Sequence, residues 1–266
     1  MKRVGVIGTG NMGGALLESA ATLGRERGWS FMAYDVDSQR LDDICSRCGA
    51  EAAGSNHELV SSCDTLILAV KPQHYRGVLE EVATLLEGKR IISVMAGVTL
   101  KALNQACPRP NCWARVMPNL PALIGKGALA CTWEPCWEDE EKEEVLAMLG
   151  AMGMVVEVPE TLMDAVTGLS GSGPAYLFLL VEALSDAGVR AGLPRDTAYK
   201  LSLQTVLGSA EFLKEKNAHP VLAKEMVTSP GGTTIAALNV LENRGFKGMV
   251  MDAVMAATER SKELGG

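Results

Sequence analysis

Two short stretches near opposite ends of a 266-residue chain have the residue types that bind an anion through bare backbone: Gly8-Thr9-Gly10-Asn11-Met12-Gly13 and Ser229-Pro230-Gly231-Gly232-Thr233-Thr234. The first follows an apolar run at 4–7 and opens a helical pattern. Gly8 permits a tight turn, Gly10 lets backbone approach a pyrophosphate, and Gly13 lets the helix pack close to the strand. The helix N-terminus then meets the phosphate charge. A second strand follows and ends in Asp35, an acid placed to accept hydrogen bonds from ribose hydroxyls. In the second stretch, Pro230-Gly231-Gly232 makes a turn whose amides no side chain masks, and a helix begins at Thr233-Thr234. Such a site suits a carboxylate, which the helix dipole favours by about 0.3 to 2 kcal/mol, and the hydroxyls add directional contacts. The two stretches read as the two halves of one active site.

The elements that must position them follow from periodicity. Short apolar runs at 4–7, 31–34, 65–70, 91–95, 113–117, 128–132 and 154–158 predict strands. Amphipathic patterns at 12–26, 38–49, 75–86 and 139–150 predict helices between them. Alternation of this kind implies a mostly parallel sheet covered on both faces. After Pro159 only helical patterns remain, at 160–169, 174–191, 195–215, 220–227, 233–243 and 246–264. The fold class is therefore an α/β Rossmann-type dinucleotide-binding domain followed by an all-α C-terminal domain, with domains at 1–158 and 159–266. In the last helix Phe246, Met249, Val250, Ala253, Val254, Ala257, Ser261 and Leu264 share one face, which reads as core. The stretch AYLFLLVEALSDAG at 175–188 is apolar nearly all round, so it is either the centre of the helical domain or a subunit interface. A helical domain this thin favours a homodimer or higher homo-oligomer.

In an open parallel sheet the ligand crosses the carboxyl ends of the strands. The dinucleotide half is accordingly expected to use Ile7, Gly8, Thr9, Gly10, Asn11, Met12 and Gly13. The strand at 65–70 ends in Ala69 and Val70 and runs on into Lys71 and Pro72, and that at 91–95 ends in Met95, followed by Ala96 and Gly97 beside the nicotinamide ring.

A net charge of -7 with a pI near 5.2 leaves no basic footprint, so the chain is expected to bind a small molecule and neither nucleic acid nor an anionic membrane. Without a signal-peptide pattern or an 18-residue apolar run, a cytoplasmic location is expected. Seven cysteines, an odd number, point to reduced thiols without a disulfide framework. Cys45-x-x-Cys48 falls inside a helical pattern with no second pair at zinc spacing, and His57, His74 and His219 lie in separate segments, so no metal is expected.

The motifs GTGNMG, AVKPQ, RVMPN, GLSGSGPAY and SPGGTTIAAL occur in the order found in pyrroline-5-carboxylate reductases, and the whole chain resembles that family. The resemblance implies hydride transfer from NADPH or NADH to 1-pyrroline-5-carboxylate, giving L-proline in the last step of its biosynthesis. It implies that the substrate carboxylate docks on Ser229, Gly231, Gly232, Thr233 and Thr234, with Thr234 at the ring nitrogen as the catalytic candidate. Glu160 resembles an acid near the product site, and Asn56 matches a position at the adenosine end. Met226 departs from the family, which commonly has an amide there. Asp35 leans the cofactor expectation toward NADH, because a 2'-phosphate would meet a like charge. Arg40 would have to reach back past Asp37 to reverse it.

Three other readings compete. A related imine oxidoreductase would share the pattern. A β-hydroxyacid dehydrogenase would need a lysine where Leu177 stands, as a base for the hydroxyl proton. A non-catalytic dinucleotide-binding redox sensor would not need the second anion site.

Overall fold

The computed structural model describes residues 3–108 and 111–265. Its contacts form two compact units, one of 3–172 and 255–265, the other Gly173–Val254. The strands end where expected, but the first unit runs on through 160–172 because that segment is bonded to the sheet. Arg115 donates to Glu160, and the Asn119 amide donates to the Ser170 carbonyl at 3.1 Å.

The first unit is one eight-stranded sheet. Its strands are β1 (Arg3–Ile7), β2 (Ser30–Tyr34), β3 (Glu51–Ala52), β4 (Thr65–Leu68), β5 (Arg90–Ser93), β6 (Cys112–Met117), β7 (Gly127–Trp133) and β8 (Gly153–Glu157). Their order is β3-β2-β1-β4-β5-β6-β7-β8, parallel throughout except for the antiparallel pair β6–β7. Helices α1 (Asn11–Arg27), α2 (Ser38–Cys48) and α6 (Asp139–Gly150) contribute Leu16, Leu17, Ile44, Met148 and Leu149 to one apolar layer, which also takes Val4 and Val6 of β1. On the opposite side α3 (Asn56–Ser62), α4 (Tyr75–Val82) and α5 (Leu100–Ala106) contribute Leu59, Leu79 and Leu103, and β1 gives Ile7. Burial on both faces explains why β1, β2, β4, β5 and β6 read as continuous apolar runs, whereas Met154 and Val156 of the edge strand β8 are exposed. The short elements β3, α3 and α5 carry no readable periodicity. The two helices are fixed by their caps instead, Ser55 accepting from the Glu58 N–H at 3.2 Å and Thr99 from that of Ala102 at 3.1 Å. A short α7 (Met163–Val166) and a wide turn at Thr167–Gly171 close the unit.

The second unit is helical: α8 (Gly173–Arg190), α9 (Arg195–Lys216), α10 (Pro220–Met226), α11 (Thr233–Asn243) and the first turns of α12 (Phe246–Gly265). α8 and α9 lie close together because their contact is made of small residues, and a Cβ on Gly188 would lie 2.8 Å from that of Ala198. Within this unit only Pro174, Ser185, Ala198 and Ser202 are buried. The expected core face of the last helix is thus corrected: Phe246, Met249, Val250 and Leu264 are exposed, and of that face Ser261 alone is buried. Periodicity found the apolar face but could not say what covers it.

The expectation of uniformly reduced thiols is also corrected. Cys112 and Cys136 form a disulfide with Cα atoms 5.9 Å apart. The antiparallel β6–β7 pairing sets Ala114 opposite Trp133 and so brings the two cysteines together, a juxtaposition that counting thiols cannot reveal. Cys45, Cys48, Cys63, Cys107 and Cys131 are free and buried. Burial pushes the thiols of Cys48 and Cys63 up to about 11 and that of Cys131 to about 12, which keeps them protonated and unreactive.

Candidate active site

At the carboxyl ends of β1, β2 and β4 the first unit holds a cavity of about 640 Å³. It is lined by Ile7, Gly8, Gly10, Asp35, Asn56, Ala69, Val70 and Lys71 of the expected set. Gly8 has φ +93° and makes the turn out of β1, while a Cβ on Gly13 would overlap the Gly8 carbonyl oxygen. Both glycines are therefore demanded by geometry. A Cβ on Gly10 would meet nothing within 4 Å, so this backbone faces open space. Gly10 is the N-cap of α1 and supplies no side-chain cap, which leaves the first-turn N–H groups, those of Asn11, Met12 and Gly13, available to an anion.

Asp35 is tied into the same loop. One carboxylate oxygen accepts from the Thr9 N–H at 2.6 Å and its hydroxyl at 3.1 Å, and the other from the Asp37 N–H at 3.0 Å. Burial alone would raise its pKa. The hydrogen bonds from Asp37 and Thr9, with the Arg40 charge, outweigh that and hold it below the ordinary 3.8. Arg40 does reach back, its guanidinium lying 3.8 Å from Asp35 and 3.1 Å from Asp37, so both acids share one cation.

Asn56 is buried. Its amide NH₂ donates to Glu81 at 2.8 Å, and its carbonyl oxygen has no partner among the described residues. The cavity also takes in Tyr34, Val36, His74, Gly77, Val78 and Glu81. The last four repeat at i, i+3, i+4 and i+7 directly after AVKPQ, a helical stripe that marks one wall and was legible in principle. Thr9, Asn11, Met12, Gly13, Pro72, Met95, Ala96 and Gly97 of the expected set do not line this cavity; Thr9 and Asn11 line a second cavity that runs over α1 and α2. Pro72 opens a short 3₁₀ turn after Lys71. Met95, Ala96 and Gly97 follow β5, the next strand along, with Met95 and Gly97 buried.

In the second unit, Ser229 through Thr234 join α10 to α11. The Gly232 N–H donates to the Ser229 carbonyl at 3.1 Å, and Gly231 occupies φ +68°, a conformation open to glycine at little cost. Gly232 caps α11 without any side-chain bond. Ser229, Gly231 and Thr233 are exposed, and Gly232 and Thr234 are half-buried. The Thr234 hydroxyl has no partner among the described residues. An uncapped helix start beneath a two-glycine turn presents several N–H donors in one direction. Met226 lies exposed at the end of α10 and offers only backbone. Leu177 on α8 is exposed and apolar, so no base stands at that position.

Glu160 is already engaged within the first unit. One of its oxygens accepts from the Leu100 N–H at 2.6 Å and from the Arg115 guanidinium at 3.0 Å.

The family model for pyrroline-5-carboxylate reductase dimerisation matches residues 160–264, and that for coenzyme F420-dependent NADP oxidoreductase matches 3–97. A pyrroline-5-carboxylate reductase of a Synechocystis species is 44% identical over 99% of this chain and 98% of its own. A Plasmodium falciparum pyrroline carboxylate reductase, solved with NADP bound, is 33% identical with a TM-score of 0.88, covering 100% of this chain and 98% of its own. The Coxiella burnetii pyrroline-5-carboxylate reductase is 32% identical with a TM-score of 0.91, covering 99% and 98%. Fold, glycine loop and matches together define a nicotinamide-dinucleotide oxidoreductase. Within that class, the chain belongs to the pyrroline-5-carboxylate reductase family.

Proposed function

We propose that this protein reduces 1-pyrroline-5-carboxylate to L-proline with NADH or NADPH, and that its domains are 1–158 for the dinucleotide and 159–266 for substrate and dimerisation. The observation that carries the assignment is the uncapped start of α11 beneath Ser229-Pro230-Gly231-Gly232, on a chain 44% identical along its length to a pyrroline-5-carboxylate reductase.

The residues present fit a dinucleotide. The open face at Gly10 and the uncapped α1 admit a pyrophosphate, Asp35 stands at the ribose, and the unpartnered Asn56 carbonyl oxygen remains at the adenosine end. When bound, the reduced nicotinamide supplies the hydride. The amides of Gly231, Thr233 and Thr234 hold the substrate carboxylate, with Ser229 beside them and Gly232 closing the turn through its N–H bond to the Ser229 carbonyl. The Thr234 hydroxyl orients or protonates the ring nitrogen. A cyclic imine is basic enough that a hydroxyl or water suffices as donor, so the work of the chain is mainly orientation, worth up to about 7 to 11 kcal/mol. Asp35 and Asp37 occupy Arg40 and leave it a poor phosphate ligand, which supports a lower KM for NADH than for NADPH.

The exposed apolar surface of Gly173–Val254 supports a homodimer or larger homo-oligomer. No described helix is long and apolar enough to cross a membrane, and a cytoplasmic setting is supported by the five free thiols, with the Cys112–Cys136 disulfide standing against it. Following oxidation of NADH and of NADPH separately with pyrroline-5-carboxylate tests reaction and cofactor together. No substrate-dependent oxidation of either would refute the assignment.

A further inference from the structure

Three contacts within the first unit converge on the loop after β5, which holds Met95-Ala96-Gly97 at the carboxyl edge of the sheet. Glu160 accepts from the Leu100 N–H at 2.6 Å, so it pins the chain three residues beyond Gly97. The same oxygen accepts at 3.0 Å from Arg115, a β6 side chain that is only 5% exposed. One turn further along, Asp164 accepts from the Ser261 hydroxyl at 2.6 Å and holds the last turns of α12. Those turns are seated on Gly97 itself: a Cβ there would lie 3.1 Å from that of Leu264 and 3.4 Å from the Ser261 carbonyl oxygen. Segment 160–164 thus grips the loop twice, directly at residue 100 and through α12 at residue 97.

A buried arginine is costly, and a well-packed apolar pair would often be at least as stable. The ion pair therefore needs a reason other than stability, and the fixed position of the loop supplies one. We propose that Glu160 and Asp164 are positioning residues that lock the Met95-Ala96-Gly97 loop against the nicotinamide end of the dinucleotide, and that Glu160 acts through this loop instead of touching the substrate. The inference rests on the dinucleotide reading of the neighbouring cleft.

Exchanging both members of the pair, Arg115→Met with Glu160→Met, removes the tie without leaving a buried charge. In the protein without cofactor, amide hydrogen exchange across 94–100 should rise about 10-fold or more. With NADH added, the emission enhancement of the bound nicotinamide should fall while the dissociation constant by calorimetry changes less than about 3-fold. The kcat should drop about 10-fold with little change in substrate KM. Ser261→Ala should give a weaker form of the same signature, and Glu160→Gln, which keeps an acceptor for the Leu100 N–H and the Arg115 guanidinium but not the charge, should fall between wild type and the double exchange. Unchanged exchange at 94–100 overturns the proposal. So does a 10-fold rise in substrate KM with unaltered nicotinamide emission, which would make Glu160 a substrate ligand. Wild-type protein that binds no NADH, while the exchange difference persists, would instead sink the dinucleotide reading.

Discussion

The sheet unit has an apolar interior built within one chain: Val6, Leu17, Leu59, Ile67 and Trp113 are all fully buried between helices and strands, although Ile124 and Met154 are exposed. In Gly173–Val254 comparable side chains point outward, with Leu179 65%, Leu222 59%, Phe178 58% and Leu207 49% exposed. The first unit has the interior of a self-sufficient domain, whereas the second has helices and almost no interior. At about 25 cal/mol per Å² of apolar surface, that face is a large unused driving force. The cover we propose for it is a second copy of the same surface, a reading supported by the dimerisation family model that matches 160–264.

The sharpest way to break this comparison is to charge the exposed face. On a lone monomer Leu179→Lys would be an ordinary surface change, within about 0.5 kcal/mol. Between copies it would bury an ammonium without a partner. We expect dissociation to smaller species in sedimentation, and a first unfolding transition that depends on protein concentration. A wild-type chain that stays monomeric and melts independently of concentration would show that the helical unit stands alone.

Next in size is a change confined to the helical unit's anion site. A Cβ on Gly232 would overlap the Ser229 hydroxyl, and larger branches would cover the amides beneath it. Gly232→Val should lower kcat/KM for the imine about 100-fold and leave the NADH dissociation constant within about twofold. Loss of NADH binding as well would mean that the two units do not divide the work. Thr234→Ala is milder, because it removes one hydroxyl and no backbone donor. The expected effect is a kcat about 10-fold lower with substrate KM little changed. A kcat equal to wild type at every pH would assign the nitrogen proton to water.

The same contrast explains what could be read from sequence. The longer strands and helices of the sheet unit were legible because the chain itself covers their faces, so periodicity and burial agree, whereas β3, α3 and α5 were too short to carry a period. The glycine loop was legible because Gly8 and Gly13 answer to backbone geometry that other residues cannot meet. The face of Phe246, Met249 and Val250 misled because its period reports an apolar surface but not the identity of its cover. The Cys112–Cys136 bridge and the double bond of Glu160 to Arg115 and Leu100 depend on which distant segments the sheet brings together. No local pattern encodes that.

The smallest expected effect lies in the sheet unit alone and concerns cofactor choice. Asp35 has its folded pKa below 3.8, so its stabilising contribution is present above that value and lost only as pH falls through the lower folded one. Across the assay range it therefore stays a carboxylate, repelling a 2'-phosphate whose second proton leaves near pH 6. Preference for NADH over NADPH should accordingly be largest above pH 7 and shrink as pH falls through about 6, where the phosphate takes up a proton. Asp35→Ser removes the repelling charge and releases Arg40 from one of its two acids, since Asp37 alone remains at 3.1 Å. The variant should move the ratio of kcat/KM values toward NADPH by about 3- to 10-fold, and its ratio should vary less with pH. Wild-type kcat/KM higher with NADPH at pH 8 would mean that Arg40 leaves both carboxylates to meet the phosphate, and that the geometry at Asp35 does not govern the choice.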